Sequence, residues 1–172
     1  MLHSNLASAW ADRHNLTMPP KVKGKTLSRS MRGGASIRNP LASLLGYQLR
    51  RASQVIVTDL AALLADLDLT VAEMSVLVVM EANPGITQSA TGRLLAIQRA
   101  NMVPLVARLE KLGLICKAEA VGRARGVHIT QAGALAVQEC FKCIEKVESR
   151  FMTFLTEAQR TVMMRHLRAV WR

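Results

Sequence analysis

Apolar residues recur at steps of three and four positions through most of this chain, which is the spacing of amphipathic helices. The first such run covers residues 41–67 and predicts a helix of about seven turns. Its apolar positions are Leu41, Leu45, Leu49, Ala52, Ile56, Leu60, Leu63 and Leu67, with a second apolar edge at Leu44, Val55 and Leu64. A helix that is apolar on two sides typically buries one of them against another chain.

Capping residues mark where the next helices begin. Thr70, followed three residues later by Glu73, has the capping-box pattern and predicts a helix that ends near Ala82. The sequence NPGIT then breaks the helical spacing, because proline and glycine end helices and start turns. Its threonine, Thr87, is a suitable N-cap for a short helix over residues 88–95.

The following helical segment contains a proline on its polar side. Its apolar stripe consists of Met102, Leu105, Val106, Leu109 and Leu112. A proline inside a helix costs about 3 kcal/mol, but the cost is smaller in the first turn. We therefore predict that the regular helix begins near Val103, with residues 99–102 as a looser lead-in. Pro104 would then shape how Arg99 and Asn101 are presented, the alternative being a kink without functional consequence.

Two short segments after Leu114, LICKAEA and GVHIT, have the composition of strands. The sequence VGRAR between them supplies a glycine and two arginines, so we predict a hairpin with Arg123 and Arg125 at its tip. From Gln131 the chain returns to helical spacing, and Thr156 starts a last helix.

This order of elements defines a fold class. Aromatic residues make up only 3% of the chain, which favours helices over a β-sandwich. Two short helices joined by a tight turn, then a hairpin, form a winged helix-turn-helix. We predict a mainly α protein with a small β-hairpin wing (α+β). Its regions are a flexible basic arm at 1–40, a winged helix-turn-helix at 68–130, and long dimerisation helices at 41–67 and 131–172.

The net charge of +11 indicates a polyanionic partner, either nucleic acid or an anionic membrane surface. Residues 1–40 carry seven lysines and arginines against a single acid, Asp12. This arm is interpreted as a DNA tether, a solvated tail or an organelle transit peptide. No stretch reaches 18 apolar residues, and the first residues lack a signal-peptide run, so a cytoplasmic protein without a membrane span is expected.

No pattern in the chain indicates an enzyme. The serine-hydrolase, zinc-protease, phosphate-loop and dinucleotide motifs are all missing from the sequence, and no cofactor is predicted. Cys140 and Cys143 are three residues apart on one helix, but two ligands do not close a metal site, so structural thiols are expected and no metal. Cys116 would act as a thiol sensor only if it were exposed and acidified.

The predicted fold has a defined way of reading DNA. A helix fits the major groove, where its side chains meet base edges and phosphates, and an arginine on a hairpin can contact the minor groove or a phosphate. The expected DNA-contact residues are Thr87, Gln88, Ser89, Arg93, Gln98, Arg99, Ala100, Asn101, Pro104, Arg108, Arg123 and Arg125.

The segment over residues 84–135 resembles the DNA-binding region of MarR-type regulators. The resemblance rests on PGITQ before the first short helix, RLE-x-x-GL at the end of the second, a Gly-Arg pair in the hairpin, and IT-x-x-G at the next helix. The long helices extend it over residues 41–172. It implies a transcription factor whose first and last helices form a homodimer, with one recognition helix per half-site of a palindromic operator in double-stranded DNA.

The resemblance also implies an effector. Family members often release DNA when a small phenol, aromatic acid or acyl thioester binds between the dimerisation and DNA-binding regions, which suggests a repressor. The candidate effector residues are Tyr47, Arg50 and Arg51, the alternative for the arginines being ion pairs with Glu145 or Glu148. A branch of the family senses peroxide through a cysteine in the first helix, and residues 41–67 contain none.

Three positions depart from the family pattern. Val121 replaces an acid before the Gly-Arg pair, Gly92 lies inside the first short helix, and Ala96 replaces a turn glycine. These departures leave a second function open, in which the dimer is an interaction module or binds nucleic acid without reading sequence. Base specificity separates the two functions, because a repressor prefers its operator by about 10³-fold or more.

Overall fold

The computed structural model describes residues 38–117 and 126–171. Most of the predicted basic arm lies outside these residues, as do Arg123 and Arg125 at the predicted wing tip. The described helices are α1 (Leu45–Leu64), α2 (Val71–Ala82), α3 (Gln88–Leu94), α4 (Arg99–Lys111), α5 (Gln131–Met152) and α6 (Glu157–Val170), and the strands are β1 (Ile115–Lys117) and β2 (Val127–Ile129). The mainly α fold with a small hairpin is confirmed.

The helix starts follow from their capping threonines. Thr70 Oγ1 accepts from the backbone N–H of Glu73 at 3.2 Å, and the Glu73 carboxylate accepts from the N–H of Thr70 at 2.8 Å. Thr87 and Thr156 cap α3 and α6 by the same backbone contact. The predicted caps at Thr70 and Thr87 and the predicted helix start at Thr156 are therefore confirmed. The first predicted helix is less uniform, since 3-10 turns at Pro40–Ser43 and Ala65–Leu67 flank α1.

The core lies where α2 meets α4 and α5, and α1 packs along α5 beside it. Its most buried large side chains include Leu64, Leu77, Met80, Met102, Leu109 and Leu114. Along α4, Met102, Val106 and Leu109 are buried while Leu105 and Leu112 are half-buried, as the apolar stripe predicts. This burial fixes the outward face of α4 relative to the rest of the fold.

The base of the hairpin is joined to the turn that precedes α3. β1 and β2 pair antiparallel, with Cys116 opposite His128. The Gly85 N–H donates to the Val127 carbonyl at 3.3 Å, and Thr87 forms a bridge with Gly126. A Cβ at Gly126 would lie 2.9 Å from the Gly85 carbonyl oxygen, so this approach requires glycine. The hairpin base and the start of α3 thus form one unit.

Large apolar side chains remain exposed at both ends of the described chain. On α1 and the turn before it they are Leu41, Leu44, Leu45, Leu49, Val55, Ile56 and Val57, and towards the C-terminus they are Phe154, Val162, Met163, Met164, Val170 and Trp171. So much exposed apolar area on two helices is typical of a surface that another chain covers. Within residues 38–117 and 126–171, no helix has the length and apolar character to cross a membrane.

The structure corrects the predicted start of the helix that contains Pro104. The helix is regular from Arg99, and the N–H groups of Asn101 and Met102 already donate to the Gln98 carbonyl at 3.0 and 3.1 Å. Pro104 therefore lies in the second turn, where it has no N–H for the Ala100 carbonyl. Both residues are exposed, so water can bond to that carbonyl. The prediction of a looser lead-in over residues 99–102 was wrong.

Candidate nucleic-acid interface

Helices α3 and α4 form the helix-turn-helix through a short turn that includes Ala96. The Ile97 N–H donates to the Gly92 carbonyl at 2.8 Å, which closes the turn. A Cβ at Gly92 would lie 3.0 Å from Met102 Cγ and 3.1 Å from the Ile97 carbonyl oxygen. Gly92 therefore allows α3 to approach the turn and α4 closely, which explains a glycine that is unfavourable for the helix alone.

Ala96 has a backbone φ of +53°, in the left-handed region that costs a residue with a Cβ about 1 kcal/mol. We expect Ala96→Gly to raise the free energy of unfolding by about 0.5–1 kcal/mol. Urea unfolding followed by circular dichroism measures the change. Ala107→Gly, on the exposed side of α4, is the matched control and should lower stability by about 1 kcal/mol. A loss of stability with Ala96→Gly would contradict the argument from φ.

The outward side of α3 and α4 contains most of the predicted DNA-contact residues. Ser89, Arg93, Gln98, Arg99, Ala100, Asn101 and Pro104 are exposed, and Thr87 and Gln88 are half-buried. Thr87 also has a structural role, because its hydroxyl oxygen accepts from the Ala90 N–H at 3.2 Å. These residues are thus accessible on α3, the turn and the first two turns of α4, and their contacts with DNA stay predictions.

A cleft of about 450 Å³ opens between α3 and α4 on this surface. Ile97, Met102 and Val103 supply apolar side chains to it, and Arg93 and Arg99 lie at its edge. We call it the α3–α4 cleft. It combines apolar contact area with positive charge, which suits a ligand that has both a phosphate backbone and apolar groups.

Arg108 does not lie free on this surface. Its Nη1 donates to Glu73 Oε2 and its Nη2 to Asp68 Oδ1, each at 2.7 Å. The hydrogen bond to Glu73 is the main cause that raises the pKa of Arg108 above its ordinary value. The Arg108 guanidinium is thus held against α2 and the turn before it, and its contact with DNA stays a prediction.

Sequence reasoning missed Asp68 and Glu73 as partners of Arg108. Glu73 is 2% exposed and accepts from Thr70 as well as Arg108, so the capping box is part of an ion pair whose carboxylate is buried. Asp68 has φ of +54° at the end of the first helical segment. The only signal in the sequence was the capping box, which predicts a backbone cap and gives no long-range partner.

The candidate effector residues lie on one side of α1. The Arg50 guanidinium lies over the Tyr47 ring, with its carbon 5.5 Å from the ring centre, and Asn39 Nδ2 donates to the Tyr47 hydroxyl at 3.0 Å. Arg51 lines a separate hollow with Gln54, Val55, Thr58 and Asp59. Within the described residues Arg50 and Arg51 form no ion pair with Glu145 or Glu148, and Glu148 pairs instead with Arg160 at 3.3 Å.

The thiols on α5 are poor nucleophiles. Cys140 is buried, and desolvation with smaller contributions from Cys143 and Glu139 raises its pKa to about 12. Burial likewise raises the pKa of the Cys143 thiol. Both stay protonated at neutral pH, as expected of structural thiols, whereas Cys116 is exposed on β1. Across residues 38–117 and 126–171 no group of three metal-ligating side chains occurs.

The fold and this surface define a winged helix-turn-helix protein. Its helix-turn-helix and hairpin region matches the model of the MarR family over residues 67–126. A protein of Thauera aromatica, described as a putative transcriptional regulatory protein for the hcr operon, is 25% identical over 139 residues, which are 79% of this chain and 84% of that protein. Over these residues the chain is therefore similar to the winged helix-turn-helix transcriptional regulators of the MarR family.

Solved structures of similar fold extend the comparison to most of the chain. The transcriptional repressor CouR bound to a 23-mer DNA duplex has a TM-score of 0.75 at 28% identity, with 80% of this chain and 100% of that chain covered. CouR bound to p-coumaroyl-CoA has a TM-score of 0.71 at 28% identity, covering 80% and 99%. PcaV of Streptomyces coelicolor, with a TM-score of 0.66, 23% identity and 78% and 96% covered, supports the fold.

Proposed function

We propose that this regulator is a homodimeric, sequence-specific repressor that binds a palindromic operator and leaves it when an aromatic acyl thioester binds. The observation that carries the proposal is the group of exposed polar and cationic residues around the α3–α4 cleft. Arg93 lines the cleft from α3 and Arg99 lines it from the first turn of α4, where Asn101 is also exposed. A helix that offers such residues can dock in the major groove while its neighbours contact phosphate.

The exposed apolar side chains of α1 and α6 support a dimer. They lie on the first and last long helices, which the family resemblance assigns to dimerisation. A two-fold dimer would offer two copies of α4, and half-sites one helical turn of DNA apart would receive them. This geometry predicts an operator with inverted-repeat symmetry.

The choice of effector rests on the chemistry of α1 and on one relative. CouR has been solved with p-coumaroyl-CoA, an aromatic acyl thioester that carries phosphates. On α1 the Arg50 guanidinium stacks over the Tyr47 ring, and Arg51 lies one residue further on. Guanidinium groups bind phosphate through paired hydrogen bonds. We therefore propose Tyr47, Arg50 and Arg51 as effector contacts, with phenols and free aromatic acids as the other ligands to test.

Equilibrium binding to two duplexes tests the function. The first duplex flanks the protein's own gene, the second is a shuffled copy, and the salt is about 150 mM so that non-specific binding is weak. A preference of about 10³-fold or more supports the repressor. Release is then measured with p-coumaroyl-CoA, p-coumarate and coenzyme A. Equal binding to both duplexes, and no preferred sequence in a selection from random duplexes, would favour the interaction module.

Arg99 is the residue at which base reading can be tested directly. We expect Arg99→Ala to reduce the preference for the operator over the shuffled duplex by about 10-fold or more, because each good bidentate base contact contributes about 1–3 kcal/mol. Competition binding with both duplexes measures the ratio. Lys142→Ala is the matched control, since Lys142 is exposed on α5 and pairs with Glu139. An equal loss on both duplexes would make Arg99 a phosphate contact instead.

A further inference from the structure

The reading surface of α4 has few hydrogen-bonding side chains after its first turn. Arg99 and Asn101 are exposed there, and Arg108 is held by Glu73 and Asp68. The exposed positions between Asn101 and Arg108 are Val103, Pro104 and Ala107. None of these side chains has a donor or an acceptor. The middle of the helix therefore cannot distinguish base pairs by hydrogen bonds.

Val103 combines exposure with a place in the α3–α4 cleft. It is 55% exposed, which is high for a valine on a packed helix, and it lines the cleft next to Met102. Met102 is 1% exposed and closes the floor of the cleft where Gly92 leaves space. Val103 is thus an exposed apolar side chain next to the buried Met102. Arg93 and Arg99 also line the cleft, where they can contact phosphates or base edges.

One feature of the major groove suits such a surface. The 5-methyl group of thymine is the apolar group on the major-groove edge of the four standard bases, and apolar side chains read it by contact. A docked helix brings the outward residues of its first two turns near base edges. Val103 is in the second turn of α4, so its position and its chemistry both match a thymine methyl group.

We propose that Val103 is a specificity-determining residue that reads thymine 5-methyl groups in each half-site of the operator. The proposal rests on the proposed function, since it requires that α4 enters the major groove. Arg99 and Asn101 then read one end of the half-site by hydrogen bonds, and Val103 reads the adjacent steps by methyl contact. Arg93, at the edge of the cleft, holds the phosphate backbone.

Replacement of thymine by uracil tests this assignment. A preferred duplex is first selected from random sequences with the full-length protein. Each thymine of a half-site is then replaced by uracil, which keeps the base pair and removes only the methyl group. Binding is expected to weaken about four-fold at one or two positions per half-site, the effect of one buried methyl-sized group. Uracil that is tolerated at every position overturns the proposal.

A double-mutant cycle assigns the methyl contact to Val103. With Val103→Ala, the preference for thymine over uracil at those positions should fall to about two-fold or less, because the γ-methyl groups that make the contact are removed. Leu94→Ala is the matched control, as Leu94 is 66% exposed on α3 and should leave the full thymine preference. Circular dichroism checks that both variants fold. A thymine preference that stays at about four-fold after Val103→Ala overturns the proposal, and failure to select any duplex overturns the proposed function with it.

Discussion

Arg108→Ala is expected to lower the free energy of unfolding by about 2 kcal/mol, because it leaves a buried carboxylate without its partly exposed cationic partner. The Glu73 side chain is 3% exposed, and Arg108 Nη1 lies 2.7 Å from its carboxylate. Without the guanidinium the carboxylate would keep only its contacts with Thr70. The loss of the ion pair with Asp68 would cost less stability, because Asp68 is 63% exposed and can bond to water. Urea unfolding followed by circular dichroism measures the loss.

Two further variants make this prediction specific. Arg150→Ala removes an ion pair of similar length, 2.8 Å to Asp59, but Arg150 is 74% exposed, so a loss of at most about 1 kcal/mol is expected. Glu73→Gln removes the buried charge, and combined with Arg108→Ala it should recover part of the stability that Arg108→Ala alone loses. Equal effects of Arg108→Ala and Arg150→Ala would mean that the pair with Glu73 contributes little.

Leu45→Asp is expected to convert the proposed homodimer into a monomer. Leu45 is 75% exposed at the start of α1, and Leu41, Leu44 and Leu49 extend the apolar surface around it. A carboxylate at this position would be buried without a partner if the surface were covered by a second chain, and that is costly. Size-exclusion chromatography with light scattering measures the mass, and operator affinity should fall about 100-fold because only one half-site is held.

Leu94→Asp is the matched control for the dimer surface. Leu94 is 66% exposed, but it lies on α3 and outside the two apolar surfaces of α1 and α6. It should leave the mass of the protein unchanged. If Leu45→Asp remains dimeric, the covered surface would have to be the C-terminal one that includes Met163 and Trp171, and α1 would not be part of the interface.

Local signals in the sequence predicted the helices, their caps and the apolar stripe of α4. These signals join residues three or four positions apart, so they can be recognised in the sequence. Thr70 caps through Glu73, and Met102 and Val106 lie on the same side of α4. The long-range partners could not be predicted in this way. The periodicity of α4 assigns Arg108 to the polar side, but Asp68 and Glu73 are 40 and 35 residues away.

The sequence was sufficient to propose the residues of the candidate site, but it did not predict how they are arranged. Arg93, Arg99 and Asn101 follow from the order of the two short helices. The start of α4 at Arg99 could not be inferred, because the penalty of Pro104 depends on whether water reaches the Ala100 carbonyl. Gly92 likewise looks like a weak point of α3 until its contact with Met102 is known. Exposure and close packing are properties of the folded chain, and a one-dimensional pattern does not contain them.

The contact between Gly85 and Gly126 makes the helix-turn-helix independent of the residues between β1 and β2, so the two parts can evolve separately. The pair, with the bridge from Thr87, fastens the hairpin base to the start of α3. Insertions or replacements in the eight positions between Lys117 and Gly126 should therefore leave the register of α4 unchanged. Hairpins of different length and charge could be exchanged between related regulators at these two points, which would make the wing a replaceable module beside a constant reading helix.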